Sequence, residues 1–183
     1  MPKRSVWIIA VVCALAVLAR LFFHATERSR QKSAVPALAQ DPQIAYSQYV
    51  NVRFAFSVCY PKQVLLPQGE SPNGDGQKFV SGDGQASASA FGANNALKQT
   101  LPQVLAQDAK GLTLTGKAVE SDRFMFTGQT SDNVLEIEET LARNQQFKTL
   151  NLRFPAAQAP TYRPIADRMI ACFANTTPTQ YSR

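Results

Sequence analysis

The sequence predicts an α+β protein, an antiparallel sheet with helices packed on it, behind an apolar N-terminal segment. Three observations carry this reading. Val50, Val52, Phe54, Phe56, Val58 and Tyr60 alternate strictly with other residues, so in extended chain they share one face. Residues 112–154 hold further runs of strand character separated by polar turns. Two other stretches, near 100–111 and 160–174, space their apolar residues at the 3.6-residue helical period instead. Strands dominate, with one helix midway and one at the end, an order that packs helices onto an antiparallel sheet.

The chain opens MPKRSVWIIAVVCALAVLARLFFHA, with Lys3 and Arg4 before an uncharged run from Ser5 to Ala19. Arg20 interrupts the run and Leu21 to Phe23 resume it, so the whole almost spans a bilayer. Residues 1–24 read as an uncleaved signal anchor in preference to a cleaved signal peptide, because small residues are poorly placed for cleavage near its end. Basic residues flank the run on both sides, so charge alone leaves its orientation open. Residues 25–48 are polar, contain Pro36 and Pro42, and read as a tether. The folded domain is expected over 49–174, with a flexible tail over 175–183.

Within that domain, Tyr49 to Tyr60 reads as one strand stopped by Pro61. The segment Asn73 to Gln85, NGDGQKFVSGDGQ, repeats GDGQ around Lys78–Ser81, and Ala86 to Phe91 follows as another strand. Thr100 and Gln103 form a T-x-x-Q capping box for a helix whose Leu101, Val104, Leu105 and Asp108 share one face and which Gly111 ends. Strands follow at 112–120, 123–128, 134–141 and 146–154, with turns at Ser121-Asp122, Thr130 to Asn133 and Arg143-Asn144. A last helix, Tyr162 to Ala174, buries Ile165, Met169, Cys172 and Phe173.

The residues Tyr49-x-Asn51-x-Arg53-Phe54-x-Phe56-Ser57-Val58-x-Tyr60-Pro61, then Asn73-Gly74-Asp75-Gly76-Gln77-x-Phe79, Asp83-Gly84 and Tyr162-x-Pro164-Ile165, resemble bacterial exported or membrane-anchored proteins of unassigned function. Their domains look like the α/β sandwich of PsbP, an extrinsic protein of photosystem II, and of a Ran-binding nuclear import factor. The resemblance covers 49–174 and implies that fold, with a bias toward binding partners over catalysis. Position 55 departs from it, with Ala where such openings usually show Gly.

The composition narrows the chemistry. Residues 1–48 carry six Lys or Arg and two acids, whereas the remainder carries 13 basic against 11 acidic residues. The excess of positive charge therefore flanks the apolar segment rather than the folded surface, which argues against a nucleic-acid partner. The one histidine, His24, lies outside the domain, which removes imidazole-based nucleophile systems and His-containing zinc sites. No phosphate or dinucleotide fingerprint is present. No cofactor or catalytic residue is assigned, and an enzyme is not expected. Asn175-Thr176-Thr177 matches a glycosylation sequon by chance.

Three features remain. Cys59 and Cys172, the two cysteines of the domain, are a natural disulfide in an exported protein, or else two buried thiols. Glu136 and Glu138 share one strand face within VLEIEETLA, where Lys148 or Arg153 can pair across strands. The expectation is a solvated sheet face, with an acidic docking patch or a carboxylate-pair hydrolase as alternatives. Asp75 and Asp83 are the weak metal candidates of the loop 71–85. Calcium loops need several carboxylates in a short span, and glycine-rich segments of this kind suit tight turns better.

The functional expectation is a non-enzymatic module tethered to the bacterial inner membrane, with its domain in the periplasm and an envelope protein as partner. The alternative is a calcium or small-ligand binding domain using the loop 71–85.

Overall fold

The computed structural model describes residues 44–175. The anchor or signal segment 1–24, residues 25–43 of the tether and the tail after Asn175 lie outside these residues. Ten strands and two helices follow in chain order. They are β1 (Tyr46–Asn51), β2 (Phe56–Pro61), β3 (Leu65–Glu70), β4 (Gly76–Ser81), β5 (Ser87–Asn94), α1 (Leu101–Asp108), β6 (Thr113–Val119), β7 (Arg123–Gln129), β8 (Val134–Arg143), β9 (Gln146–Pro155), α2 (Ala159–Ala171) and β10 (Ala174–Asn175).

Seven strands form one antiparallel sheet in the order β3-β4-β5-β9-β8-β7-β6, and β1-β2-β10 form a second sheet of three. Side chains alternate across the large sheet. One face, called inner here, presents Phe79, Ala88, Ala90, Leu135, Ile137, Leu150, Leu152 and Phe154. These pack with Phe54, Phe56 and Val58 of the β1–β2 region and with Tyr162, Ile165, Ala166 and Met169 of α2. Among the described residues, the outer face is covered at one end, where Leu101, Val104 and Leu105 of α1 sit on Phe124 and Phe126. The sandwich is thus lopsided. Its inner layer holds the main core, and part of its outer layer is open.

The alternating run 50–60 is not one strand but a hairpin, and the first strand starts at Tyr46, inside the stretch expected to be tether. The chain reverses because Asn51 Oδ1 accepts the Phe54 amide at 2.8 Å, and Ala55 takes a left-handed φ of 52°. Alternation alone cannot register such a turn, since the apolar residues resume in phase after it. Val52 is consequently exposed rather than buried.

The edge strand β3 was not expected from LLPQGE. Pro67 and Gly69 argue against a central strand, but both are tolerated at an edge, and the register shifts between Pro67 and Glu70. The last helix starts earlier than expected, after a 3-10 turn at Ala156–Gln158, and ends at Ala171. Cys172 and Phe173 therefore lie past its end. The four long strands of 112–154 match the expectation to within two residues at each end.

Candidate functional site

The two GDGQ repeats lie in the hairpin loops β3–β4 and β4–β5, and both loops close by the same device. Ser71 N donates to Gly76 O at 2.8 Å and accepts Gly74 N at its carbonyl; Ser81 N donates to Ala86 O at 2.9 Å and accepts Gly84 N likewise. Each serine hydroxyl then bonds the aspartate of its own turn, Ser71 to Asp75 and Ser81 to Asp83. These hydroxyl bonds are the first cause holding both aspartates below the usual carboxylate range. Gly74 and Gly84 take φ values of 67° and 73°, conformations that suit glycine. Asp75 and Asp83 are thus engaged in separate turns. Among the described residues no group of three or more His, Cys, Asp or Glu is placed to hold a metal ion.

The first of these turns docks onto the β1–β2 hairpin. The buried Asn51 sends Nδ2 to Gly74 O at 3.0 Å and to Tyr49 Oη at 2.9 Å, Tyr49 Oη donates to Glu70 Oε1 at 2.8 Å, and Arg53 Nη1 reaches Asn73 O. Gly76 is the necessary residue at its position, since a Cβ there would lie 2.3 Å from Ala90 O. The motif Tyr49-x-Asn51-x-Arg53 and the motif Asn73-Gly74-Asp75-Gly76 are therefore two halves of one contact. Their role is to join the two sheets.

Cys59 and Cys172 form a disulfide, with Cα atoms 5.9 Å apart, that ties β2 to the end of α2.

The remaining chemistry lies on the open part of the outer face, in a groove of about 520 Å³ lined by Lys78, Ser89, Phe91, Glu136, Glu138, Asn151 and Arg153 among others. Strand alternation puts Glu136, Glu138 and Thr140 of β8 on this face, and the register sets Asn151 against Glu138 and Arg153 against Glu136. Arg153 Nε lies 3.5 Å from Glu136 Oε2, one of the two pairings expected. Lys148 falls on the other face with Leu150 and Leu152, so it does not join the cluster. Glu139 also faces inward and bonds Arg123 Nη1 at 3.1 Å.

The expectation of a solvated face is corrected at Glu138, which is only 4% exposed. A single amide, Asn151 Nδ2, spans the two carboxyls, at 2.6 Å from Glu136 Oε1 and 2.9 Å from Glu138 Oε2. Burial pushes Glu138 up to about 8, against the Asn151 bond and with help from Asp108 and Glu136. Asp108, the last residue of α1, is raised by loss of hydration, against the influence of Glu138 and with that of the Glu136 charge. Sequence reasoning placed Asp108 on the apolar face of α1 without giving it a role, although an acid on such a face asks for a partner. Asn151 was missed too; only the cross-strand register identifies it.

A second open groove, of about 510 Å³, lies at the start of α1 between Thr100, Pro102, Glu120 and Asn144. It gathers no comparable set of interacting charges.

No family model matches the chain and no curated protein matches it in sequence. Among solved structures, the chain is similar to the solution structure of cyanobacterial PsbP (CyanoP) from Synechocystis sp. PCC 6803. The TM-score is 0.53 at 11% identity, over 77% of this chain and 98% of that one. The fold is PsbP-like. At that identity the likeness speaks for the fold alone. A Bacteroides thetaiotaomicron VPI-5482 protein (TM-score 0.46, 13% identity, 71% of this chain and 48% of that one) is more distant. So is LpqN, involved in cell envelope biogenesis of Mycobacterium tuberculosis (TM-score 0.36, 13% identity, 75% and 88%). Both are too far to bear on the argument. Among the described residues no helix is long and apolar enough to cross a membrane.

Proposed function

We propose that the chain is a non-enzymatic envelope module, tethered to the inner membrane through residues 1–24, with its domain in the periplasm, and that it acts by binding another protein. The observation that carries this reading is the lopsided use of the large sheet. Its inner face packs the main core, while the outer face beyond α1 leaves a groove with charged groups of both signs beside the exposed Phe91. A mixed charged and aromatic surface of this kind suits protein recognition. The Cys59–Cys172 bond supports the compartment, because such bonds persist where the surroundings oxidise.

The test is a photo-crosslinking amino acid placed at Ser89, in the groove, and separately at Arg163, on the exposed side of α2, in cells that express the full chain. The reading expects a discrete protein adduct from position 89 and none from 163. Equal adducts from both positions, or none from 89, would overturn it.

The calcium alternative has less support, since Asp75 and Asp83 each bond within their own turn. Saturating binding at 100 times a dissociation constant stabilises by about 2.7 kcal/mol. The reading therefore expects millimolar calcium to leave the melting temperature unchanged, and a clear rise would restore the alternative.

A further inference from the structure

We propose that the groove at the start of α1 binds a neutral sugar chain, with Gln99, Asn144 and Gln145 bonding its hydroxyl or amide groups and Phe147 meeting its apolar ring face. Three loops converge there: residues 95–100, the β6–β7 turn at Ser121 and the β8–β9 turn at Asn144-Gln145. Hydrogen bonds fix these loops to the sheet and to one another. Asn95 N donates to Gln145 O at 2.8 Å, and Ala142 N donates to Asp122 O at 2.7 Å. The Asn95 side chain closes its own loop, donating from Nδ2 to Gln99 O at 2.8 Å and accepting Gln99 N at 2.7 Å. Gln146 Nε2 reaches Asn94 Oδ1 at 3.2 Å. The walls are thus preformed. They enclose about 510 Å³, within the roughly 300–1,000 Å³ of small-ligand sites.

None of those bonds uses the side-chain amides of Gln99, Asn144 or Gln145, and all three residues line the groove. A carboxamide sets a donor beside an acceptor, the pairing that neighbouring sugar hydroxyls and acetamido groups also present. Leu101, Ala142 and Phe147 add an apolar part of the lining, held in place by the cluster under α1. The lining carries one charged residue of each sign, Arg143 and Glu120, a balance that selects no ion. Recurring peptide-recognition modes call for an open strand edge, an apolar helix groove or a cluster of charge, and turn tips bearing amides supply none of these. The turn itself adds support. Asn144 and Gln145 hold left-handed φ values of 53° and 58°, where glycine would relax the backbone. The side chains kept there at a backbone cost are the ones that line the groove.

The experiment titrates chitotetraose and cellotetraose, soluble neutral sugars with and without acetamido groups, into the full chain held in a detergent that has no sugar headgroup. Calorimetry reads the binding. The same titrations are run on Asn144→Gly, Gln145→Gly and, in the other groove, Ser89→Ala. The proposal expects saturable binding of at least one sugar at millimolar concentration or below. Either glycine variant weakens it roughly fivefold, through the loss of one hydrogen bond, and Ser89→Ala leaves it unchanged. Glycine suits both left-handed positions, so both variants are expected to melt no lower than the natural chain, and weaker binding is then not a loss of fold. No saturable binding of either sugar, or equal binding in the glycine variants, overturns the proposal. The result is separate from the search for a protein adduct at position 89, so each reading can fail without the other.

Discussion

At the scale of single residues, two turns hold left-handed non-glycine residues where glycine is the ideal choice. Ala55 has φ 52°, in the turn where the family resemblance expects glycine. A non-glycine residue there is strained by roughly 1–2 kcal/mol, partly offset by the lower entropy of alanine in the unfolded chain. Ala55→Gly is therefore expected to raise stability by about 1 kcal/mol in urea unfolding. Asn144 and Gln145, with φ 53° and 58°, join β8 to β9 in a two-residue turn. Such turns favour Asn-Gly, so Gln145→Gly is expected to act in the same direction. Asn51 runs the other way. Its side chain satisfies the Phe54 amide and Gly74 carbonyl from a fully buried position. Asn51→Ala should cost about 2–3 kcal/mol, since each lost partner leaves a buried polar group unpaired. The sequence made Asn51, Arg53 and Asn73 visible as a signature, but their contact spans two hairpins, and no local pattern reports it.

Among elements, the helices and the four strands of 112–154 were legible because their periods are long and their turns polar. The β1–β2 hairpin was not, because an apolar alternation that continues through a turn looks like one strand. The acidic groove was half legible. Alternation put Glu136 and Glu138 on one face and Arg153 within reach, but it does not report the burial of Glu138 or its bond to Asn151 across the strands. The sign of its pH effect follows. Glu138 titrates near 8 in the folded protein against an ordinary value of 4.5. The folded chain therefore holds a proton that the unfolded chain releases, and stability declines as pH rises through that window. Asp75 and Asp83 are lowered by their turn hydrogen bonds, and their contribution is lost as pH falls below the ordinary carboxylate range. Thermal melts from pH 2 to 9 are expected to peak near pH 5, with the alkaline decline reduced in Glu138→Gln. A melting temperature that rises steadily from pH 5 to 8 would contradict this assignment.

At the scale of the whole domain, the described residues form a PsbP-like sandwich whose layers are joined by the main core under α2, the docking of the NGDG turn on β1–β2, and the Cys59–Cys172 bond. The disulfide closes a loop of 113 residues, nominally worth about 4–5 kcal/mol in the chain-entropy model. The double variant Cys59→Ser, Cys172→Ser should lose most of that in urea unfolding. The bond also carries the claim of an oxidising compartment, on which the envelope reading depends. The most direct measurement is the thiol state of the full chain in cells, in a Cys13→Ser background, alkylated with a maleimide-polyethylene glycol before and after reduction. The account predicts no mass shift until reduction and two labels after it. Two labels without reduction would leave the domain in a reducing compartment and contradict the envelope assignment.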